Sequence, residues 1–253
     1  MALRRKKNKV EAMVAGDKIA YGLLKSFLLP VLTLLFRPKV SGLRFVPATG
    51  PVIIASNHLS FSDSIFMPLV IPRKVTFLAK SEYFTSPGLK GLAKKLTFIA
   101  LGQVSVDRAG GSRSEAALFT GLSVLAEGGC LGIYPEGTRS PDGRLYRGRT
   151  GIARLAMESG APIVPVAMFH TAEIQPTGKV IPKIMRVKMV FGEPMYFPTP
   201  DKSNDPEELR KATDSLMKKL QELSGQEYVD IYASQAKEAL DEQRRRERKE
   251  NQK

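Results

Sequence analysis

The sequence predicts a single α/β domain in which a mixed sheet is flanked by helices, and three observations carry that expectation. From Val40 onward, short apolar runs alternate with amphipathic stretches, as when strands and helices take turns along a chain. Two helices announce their ends: Ser112-Arg113-Ser114-Glu115 reads as a capping box closed later by Gly128-Gly129, and Asp205-Pro206-Glu207-Glu208 puts proline at a first helical position. At 253 residues and 43% hydrophobic, the chain can bury one substantial core, and no internal repeat divides it.

In chain order, strands are expected at Leu43 to Val46, Val52 to Ala55, Val75 to Ala79, Phe98 to Val106, Cys130 to Tyr134, Ile163 to Phe169 and Val187 to Phe191, with helices between them. The tail from Lys237 to Lys253 holds seven basic and five acidic residues without an apolar stripe, which reads as a solvated helix. A single cysteine, Cys130, lies in an apolar run, so there is no disulfide framework and a reducing compartment is expected.

The formal charge of +14 calls for an anionic partner: nucleic acid, a phosphate-bearing substrate or an acidic lipid surface. Residues 1–40 hold nine basic side chains against Glu11 and Asp17, half of the net surplus. Behind the cluster Arg4-Arg5-Lys6-Lys7-Lys9, residues Ile19 to Phe36 are mostly apolar, interrupted by Lys25 and Pro30. As a straight helix this run reaches about 27 Å, marginal against a hydrocarbon core of about 30 Å, and Pro30 kinks it. No small-residue cleavage site follows, which argues against a secretory signal. A bent helical anchor lying in one leaflet is the expectation, with Leu23, Leu24, Phe27, Leu28, Leu32 and Phe36 in the acyl region. The alternative is that these leucines cover the protein's own core.

The stretch richest in chemistry is Asn57-His58-Leu59-Ser60-Phe61-Ser62-Asp63, which holds one of only two histidines. A spacing of five places His58 and Asp63 about 140° apart on a helix and on opposite faces of a strand, so only a turn brings them together. Strand Val52 to Ala55 followed by a helix capped at Ser60 supplies that turn. A carboxylate on one ring nitrogen leaves the other to accept a proton from a hydroxyl. The competing reading is a plain capping box, with Asp63 reaching back to the Ser60 backbone. His170, at a strand end, has no evident partner.

These residues also carry a resemblance. His58 and Asp63 resemble the H-x4-D motif of the glycerolipid acyltransferases, the family that includes lysophosphatidic acid acyltransferase, and Tyr134-Pro135-Glu136-Gly137-Thr138-Arg139-Ser140 resembles its F-P-E-G-T-R-S block. Val106-Asp107-Arg108 is similar to the second block and Ala161 to Ala167 to the fourth, so the likeness runs over roughly residues 40 to 195. Together with the basic and apolar N-terminal run and the charged tail, it gives an expected domain order of membrane anchor at 1–40, acyltransferase domain at 41–230 and charged tail at 231–253. The resemblance further implies that Arg108, Glu136, Gly137, Thr138 and Arg139 bind the phosphate-bearing acceptor, with Lys80 adding a cation. The residues themselves agree in part: Arg108 precedes Gly110-Gly111 and a helix start, and Arg139 offers a planar fork for phosphate oxygens.

The expected reaction is therefore direct transfer of a fatty acyl chain from acyl-CoA or acyl carrier protein to lysophosphatidic acid, with glycerol 3-phosphate or another lysophospholipid as alternative acceptors. His58 is the expected base and Asp63 its partner. No G-x-S-x-G elbow is present, which disfavours an acyl-enzyme, and no H-E-x-x-H pattern suggests a metal, so no cofactor is expected. The partner surface is expected to be the anionic cytoplasmic face of the cell membrane. Nucleic acid is disfavoured, because the chain has no tryptophan and no aromatic-basic interleaving. Gly143 to Thr150 approaches a phosphate-loop pattern, but Arg149 stands for the lysine and no strand precedes it.

Overall fold

The structure is a computed structural model that describes residues 22–23, 25–79, 88, 102–105, 113–197 and 200–250. Its strands are β1 (Lys39–Ser41), β2 (Val52–Ser56), β3 (Val75–Ala79), β4 (Gln103–Ser105), β5 (Cys130–Ile133), β6 (Leu145–Tyr146), β7 (Ile163–Phe169), β8 (Lys188–Phe191) and β9 (Tyr228–Val229). Its helices are α1 (residues 25–36), α2 (Asp63–Val70), α3 (Arg113–Ala126), α4 (Gly151–Ser159), α5 (Thr171–Ile174), α6 (Pro206–Ser224) and α7 (Ala233–Glu250).

Seven strands form one sheet in the order β1-β8-β7-β2-β5-β3-β4, and β6 pairs with β9 in a small second one. Strands β7, β2, β5, β3 and β4 run parallel, whereas β8 pairs antiparallel with β7 and carries β1 alongside it. The expected mixed α/β sheet is what the chain adopts. Central β2 is buried on both faces, which is why Val52-Ile53-Ile54-Ala55 is continuously apolar. Val52 and Ile54 meet Phe66 and Met67 of α2 on one side, and Ile53 and Ala55 meet Leu125 of α3, Leu155 of α4 and Leu216 of α6 on the other. Because the parallel strands share a direction, the ends of β2 and β5 open onto one edge, where sites of open α/β sheets gather.

The segment Leu43 to Val46 is not the expected strand. Gly42 turns the chain at φ 73°, a Cβ there would lie 2.0 Å from the Phe191 carbonyl oxygen, and Leu43–Phe45 closes into a 3-10 turn; β1 lies just upstream. The expected cap at Asp205 does form, its side chain accepting from the N–H groups of Glu207 and Glu208.

Of the expected N-terminal anchor, residues 1–21 and 24 lie outside the described residues. The described part divides its leucines between two environments. Phe36 is 3% exposed and meets Phe66 edge-on at 4.9 Å, and Leu32 packs on the same core, so these two belong to the protein rather than to a leaflet. Leu23, Phe27 and Leu34 stay exposed. Lys25, which breaks the apolar run in sequence, donates its ammonium to the carbonyl oxygens of Pro68 and Ile71 at the end of α2, where a cation satisfies terminal acceptors. No described helix is long and apolar enough to cross a membrane.

Candidate active site

β2 ends at Ser56, and the chain turns at once because Asn57 leaves the ladder. Its side chain instead continues the pairing with β7: Oδ1 accepts from the Met168 N–H at 2.8 Å and Nδ2 donates to the Met168 carbonyl at 3.1 Å. That exchange fixes the exit direction of the strand and presents His58. The helix that follows starts at Asp63 with Ser62 as its N-cap, two residues later than the expected Ser60. The shift arises because residues 60 to 63 form a tight turn closed by Asp63 N–H to the Ser60 carbonyl.

His58 and Asp63 meet, with Nδ1 2.9 Å from Oδ2. The same Oδ2 accepts from the N–H groups of Leu59 and Ser60, each at 2.8 Å. Both sequence readings therefore hold on one oxygen: Asp63 reaches back to the Ser60 backbone and also holds the ring. An oxygen accepting two N–H bonds is an acceptor for the ring as well, so Nδ1 carries a proton, and in the neutral ring the lone pair lies on Nε2. Asp63 is fully buried, while the His58 side chain retains 16% exposure. The imidazole is thus held from inside and open to a reactant.

The Tyr134–Ser140 segment, at the end of neighbouring β5, wraps the other side of His58. The Glu136 carboxylate accepts from the His58 N–H at 3.2 Å and from the Tyr146 N–H at 2.9 Å, and the Ser140 N–H donates to the His58 carbonyl at 2.8 Å. Glu136, expected among the acceptor-binding residues, has both oxygens committed to main-chain donors. Burial pushes its carboxyl up to about 7, against the downward pull of those two bonds, with Asp63 and Asp142 adding to the rise. Gly137 sits at φ 74°, where a Cβ would lie 2.9 Å from the Arg149 side chain. Thr138 and Arg139 are half-buried beside it, and among the described residues Arg139 has no hydrogen-bond or ion-pair partner. Lys80 and Arg108 lie outside the described residues, although β3 and β4, which precede them, end on the same edge of the sheet.

Tyr134 is the site residue that sequence reasoning passed over. Its ring stacks on the His58 imidazole at 3.8 Å and 9°, its far side meets Phe77 at 5.5 Å, and its hydroxyl bonds Ser64 at 2.9 Å. Gly132 on β5 admits that stack, since a Cβ there would strike the Phe77 ring at 2.5 Å. Cys130 is buried and its thiol is pushed up to about 12 by burial, so it offers no thiolate. Among the described residues, no group of three His, Cys, Asp or Glu is placed to hold a metal ion. His170 is exposed in a left-handed conformation at φ 67°, at the end of β7.

Comparison with known proteins bears on the same residues. The chain is 29% identical over 163 residues to a chloroplast 1-acyl-sn-glycerol-3-phosphate acyltransferase of Brassica napus, a stretch covering 64% of this chain and 46% of the relative. It is 29% identical over 187 residues to the 1-acyl-sn-glycerol-3-phosphate acyltransferase of Bacillus subtilis, covering 73% and 87%. The chain spans less than half the length of the chloroplast relatives it matches. Among solved structures, the 1-acyl-sn-glycerophosphate (LPA) acyltransferase of Thermotoga maritima superposes with a TM-score of 0.57 at 25% identity, covering 79% of this chain and 80% of that one. The family model described as Acyltransferase matches residues 37–169, more than half of the chain and the whole span from the His58 turn to the end of β7, and this chain belongs to that family.

Proposed function

We propose that this chain transfers a fatty acyl group from an acyl thioester to the free hydroxyl of lysophosphatidic acid, forming phosphatidic acid at a membrane surface. The observation that carries this reading is the 2.9 Å contact between His58 Nδ1 and a fully buried Asp63 oxygen, which engages one ring nitrogen and leaves the other for a reactant. His58 takes the proton from the attacking hydroxyl, and the hydroxyl oxygen adds to the thioester carbonyl. Asp63 balances the imidazolium, which returns the proton to the departing sulfur, so the thiol leaves as the C–S bond breaks and the new ester forms. General base catalysis supplies roughly a hundred- to ten-thousand-fold.

Arg139 binds the acceptor phosphate with the Gly137-Thr138 backbone, joined by Arg108 and Lys80. Glu136 acts through His58: it holds the backbone of the base rather than touching phosphate, where its carboxylate would repel. Holding alcohol and thioester together contributes the other large part of the rate. Lysophosphatidic acid is favoured by the similarity to 1-acyl-sn-glycerol-3-phosphate acyltransferases. The surplus of positive charge in residues 1–40 is assigned to an anionic membrane surface, the cytoplasmic face of the cell membrane, rather than to nucleic acid.

Acyl transfer by purified protein, with acyl-CoA and acyl carrier protein as donors, tests the reading. Lysophosphatidic acid, glycerol 3-phosphate, lysophosphatidylcholine and a phosphate-free monoacylglycerol are the acceptors to compare. Phosphatidic acid as the principal product supports it. Absence of transfer to every phosphate-bearing acceptor overturns it.

A further inference from the structure

Between α5 and β8 the chain runs from residue 175 to residue 187 without helix or strand, long for a connection inside a compact domain. Its side chains are distributed in an unusual way. Val180 is 86% exposed, Ile181 84%, Ile184 67% and Met185 39%. Among them stand Lys179, Lys183 and Arg186, all exposed, whose side chains make no hydrogen bond or ion pair among the described residues. No aspartate or glutamate occurs between Glu173 and Glu193.

The apolar tips are held out by a fixed backbone. The Gln175 amide donates to the carbonyl oxygens of Lys179 and Val180 at 3.3 and 3.1 Å, the Lys179 N–H to Pro176 at 3.0 Å and the Lys183 N–H to Ile174 at 2.7 Å. The two ends of the loop are tied to elements already described. The Ser60 hydroxyl, in the turn that joins His58 to Asp63, donates to the Gln175 carbonyl at 2.7 Å. At the other end the Val187 N–H donates to the carbonyl of Phe36, the last residue of α1, whose Phe27 and Leu34 are 72% and 75% exposed.

We propose that residues 176–186 are a lipid-contacting loop, which sets Val180 and Ile181 into the boundary between headgroups and acyl chains of an anionic leaflet and thereby holds the His58 turn at that leaflet. Exposed aliphatic side chains interleaved with unpaired cations, with no acid in the loop's own sequence, are the composition that an acidic lipid surface receives. A water-facing loop gains nothing by exposing two adjacent β-branched residues. The proposal rests on reading the chain as an interfacial acyltransferase, and it adds a second point of contact that is independent of residues 1–40. An acceptor whose acyl chain stays in the leaflet then reaches His58 without passing through water.

The chain has no tryptophan, so Ile181→Trp introduces a single reporter. With vesicles of phosphatidylglycerol and phosphatidylcholine, its emission is expected to shift to the blue and to be quenched by lipids brominated on their acyl chains. Emission that stays water-like on vesicles that sediment the protein would overturn the proposal. A blue shift that rises with protein concentration in the absence of lipid would also overturn it, by assigning the face to a second copy of this chain. Val180→Asp combined with Ile181→Asp is expected to weaken vesicle binding about tenfold or more, and turnover of vesicle-borne acceptor with it. Turnover of a short-chain acceptor below its micelle concentration should be retained. Unchanged vesicle binding by that variant contradicts the proposal. These binding measurements need no acyl transfer, so failure of the proposed reaction would show separately, as a wild-type protein that binds vesicles and acylates nothing.

Discussion

Replacing Glu136 by glutamine removes one oxygen from a carboxyl group that keeps lone pairs on both oxygens, ionised or neutral, for two main-chain donors, the N–H groups of His58 and Tyr146. Glutamine has one acceptor oxygen and an amide that only donates, so one of the two N–H groups is left facing another donor in a site where Glu136 is 1% exposed. Leaving a buried donor unmade costs about 1 to 3 kcal/mol. The cost should depend on pH. The folded protein holds the Glu136 proton up to about 7, whereas the unfolded chain releases it near 4.5. Between those values the folded state binds more protons, so the stability contributed by this group is full below 4.5 and is lost as pH rises through about 7. At about 1.4 kcal/mol per unit, the loss is on the order of 3 kcal/mol. Glutamine does not titrate. Denaturant unfolding of both proteins from pH 5 to 8 should therefore show the variant at its greatest disadvantage near pH 5 and the gap narrowing by pH 8. A gap that is constant with pH would refute the reasoning, because Glu136 would then titrate alike in the folded and unfolded states. Turnover should fall in parallel, since Glu136 fixes the backbone of His58.

Tyr134→Phe keeps the ring beneath the imidazole and loses only the bond to Ser64, so it should cost about 0.5 to 1.5 kcal/mol of stability with kcat nearly unchanged, whereas Tyr134→Ala should lower kcat; steady-state kinetics on monomeric acceptor separates the two. Phe36→Ala should cost about 3 to 5 kcal/mol, because that ring is buried against Phe66, while Phe27→Ala at 72% exposure should stay within about 0.5 kcal/mol of wild type in denaturant unfolding. Arg139→Ala should raise the acceptor KM about ten- to a hundredfold, the worth of a charge-assisted bond to phosphate, and should have little effect when the acceptor lacks phosphate.

The sheet was readable because its central strands are buried on both faces: Val52 to Ala55, Val75 to Ala79 and Ile163 to Phe169 are apolar runs of strand length bounded by turns. Leu43 to Val46 has three apolar residues around Arg44 but follows Gly42, whose left-handed backbone bends the chain before a ladder can start. The His58–Asp63 contact was legible since their spacing excludes both regular elements and leaves only a turn. Tyr134 was not, because its stack on His58 exists only once β5 lies beside β2, and no local pattern encodes that neighbourhood. The hold of Asn57 on Met168 spans 111 residues and is equally silent in the sequence. Glu136 illustrates a different limit: resemblance places a whole block at the acceptor, and only the structure shows that both Glu136 oxygens accept from main-chain N–H groups. In α1 apolar residues cover most of the circumference, so periodicity could not say that Leu32 and Phe36 turn inward while Phe27 and Leu34 face out.

The base itself is tested most directly by comparing wild type with His58→Ala for acyl transfer from a thioester to lysophosphatidic acid presented as a monomer. If His58 accepts the hydroxyl proton, the variant should lose roughly a hundred- to ten-thousand-fold in kcat while its unfolding transition and vesicle binding stay unchanged. A variant that folds as wild type does and keeps kcat within about tenfold of it would contradict that assignment and leave His58 as a residue of the turn alone.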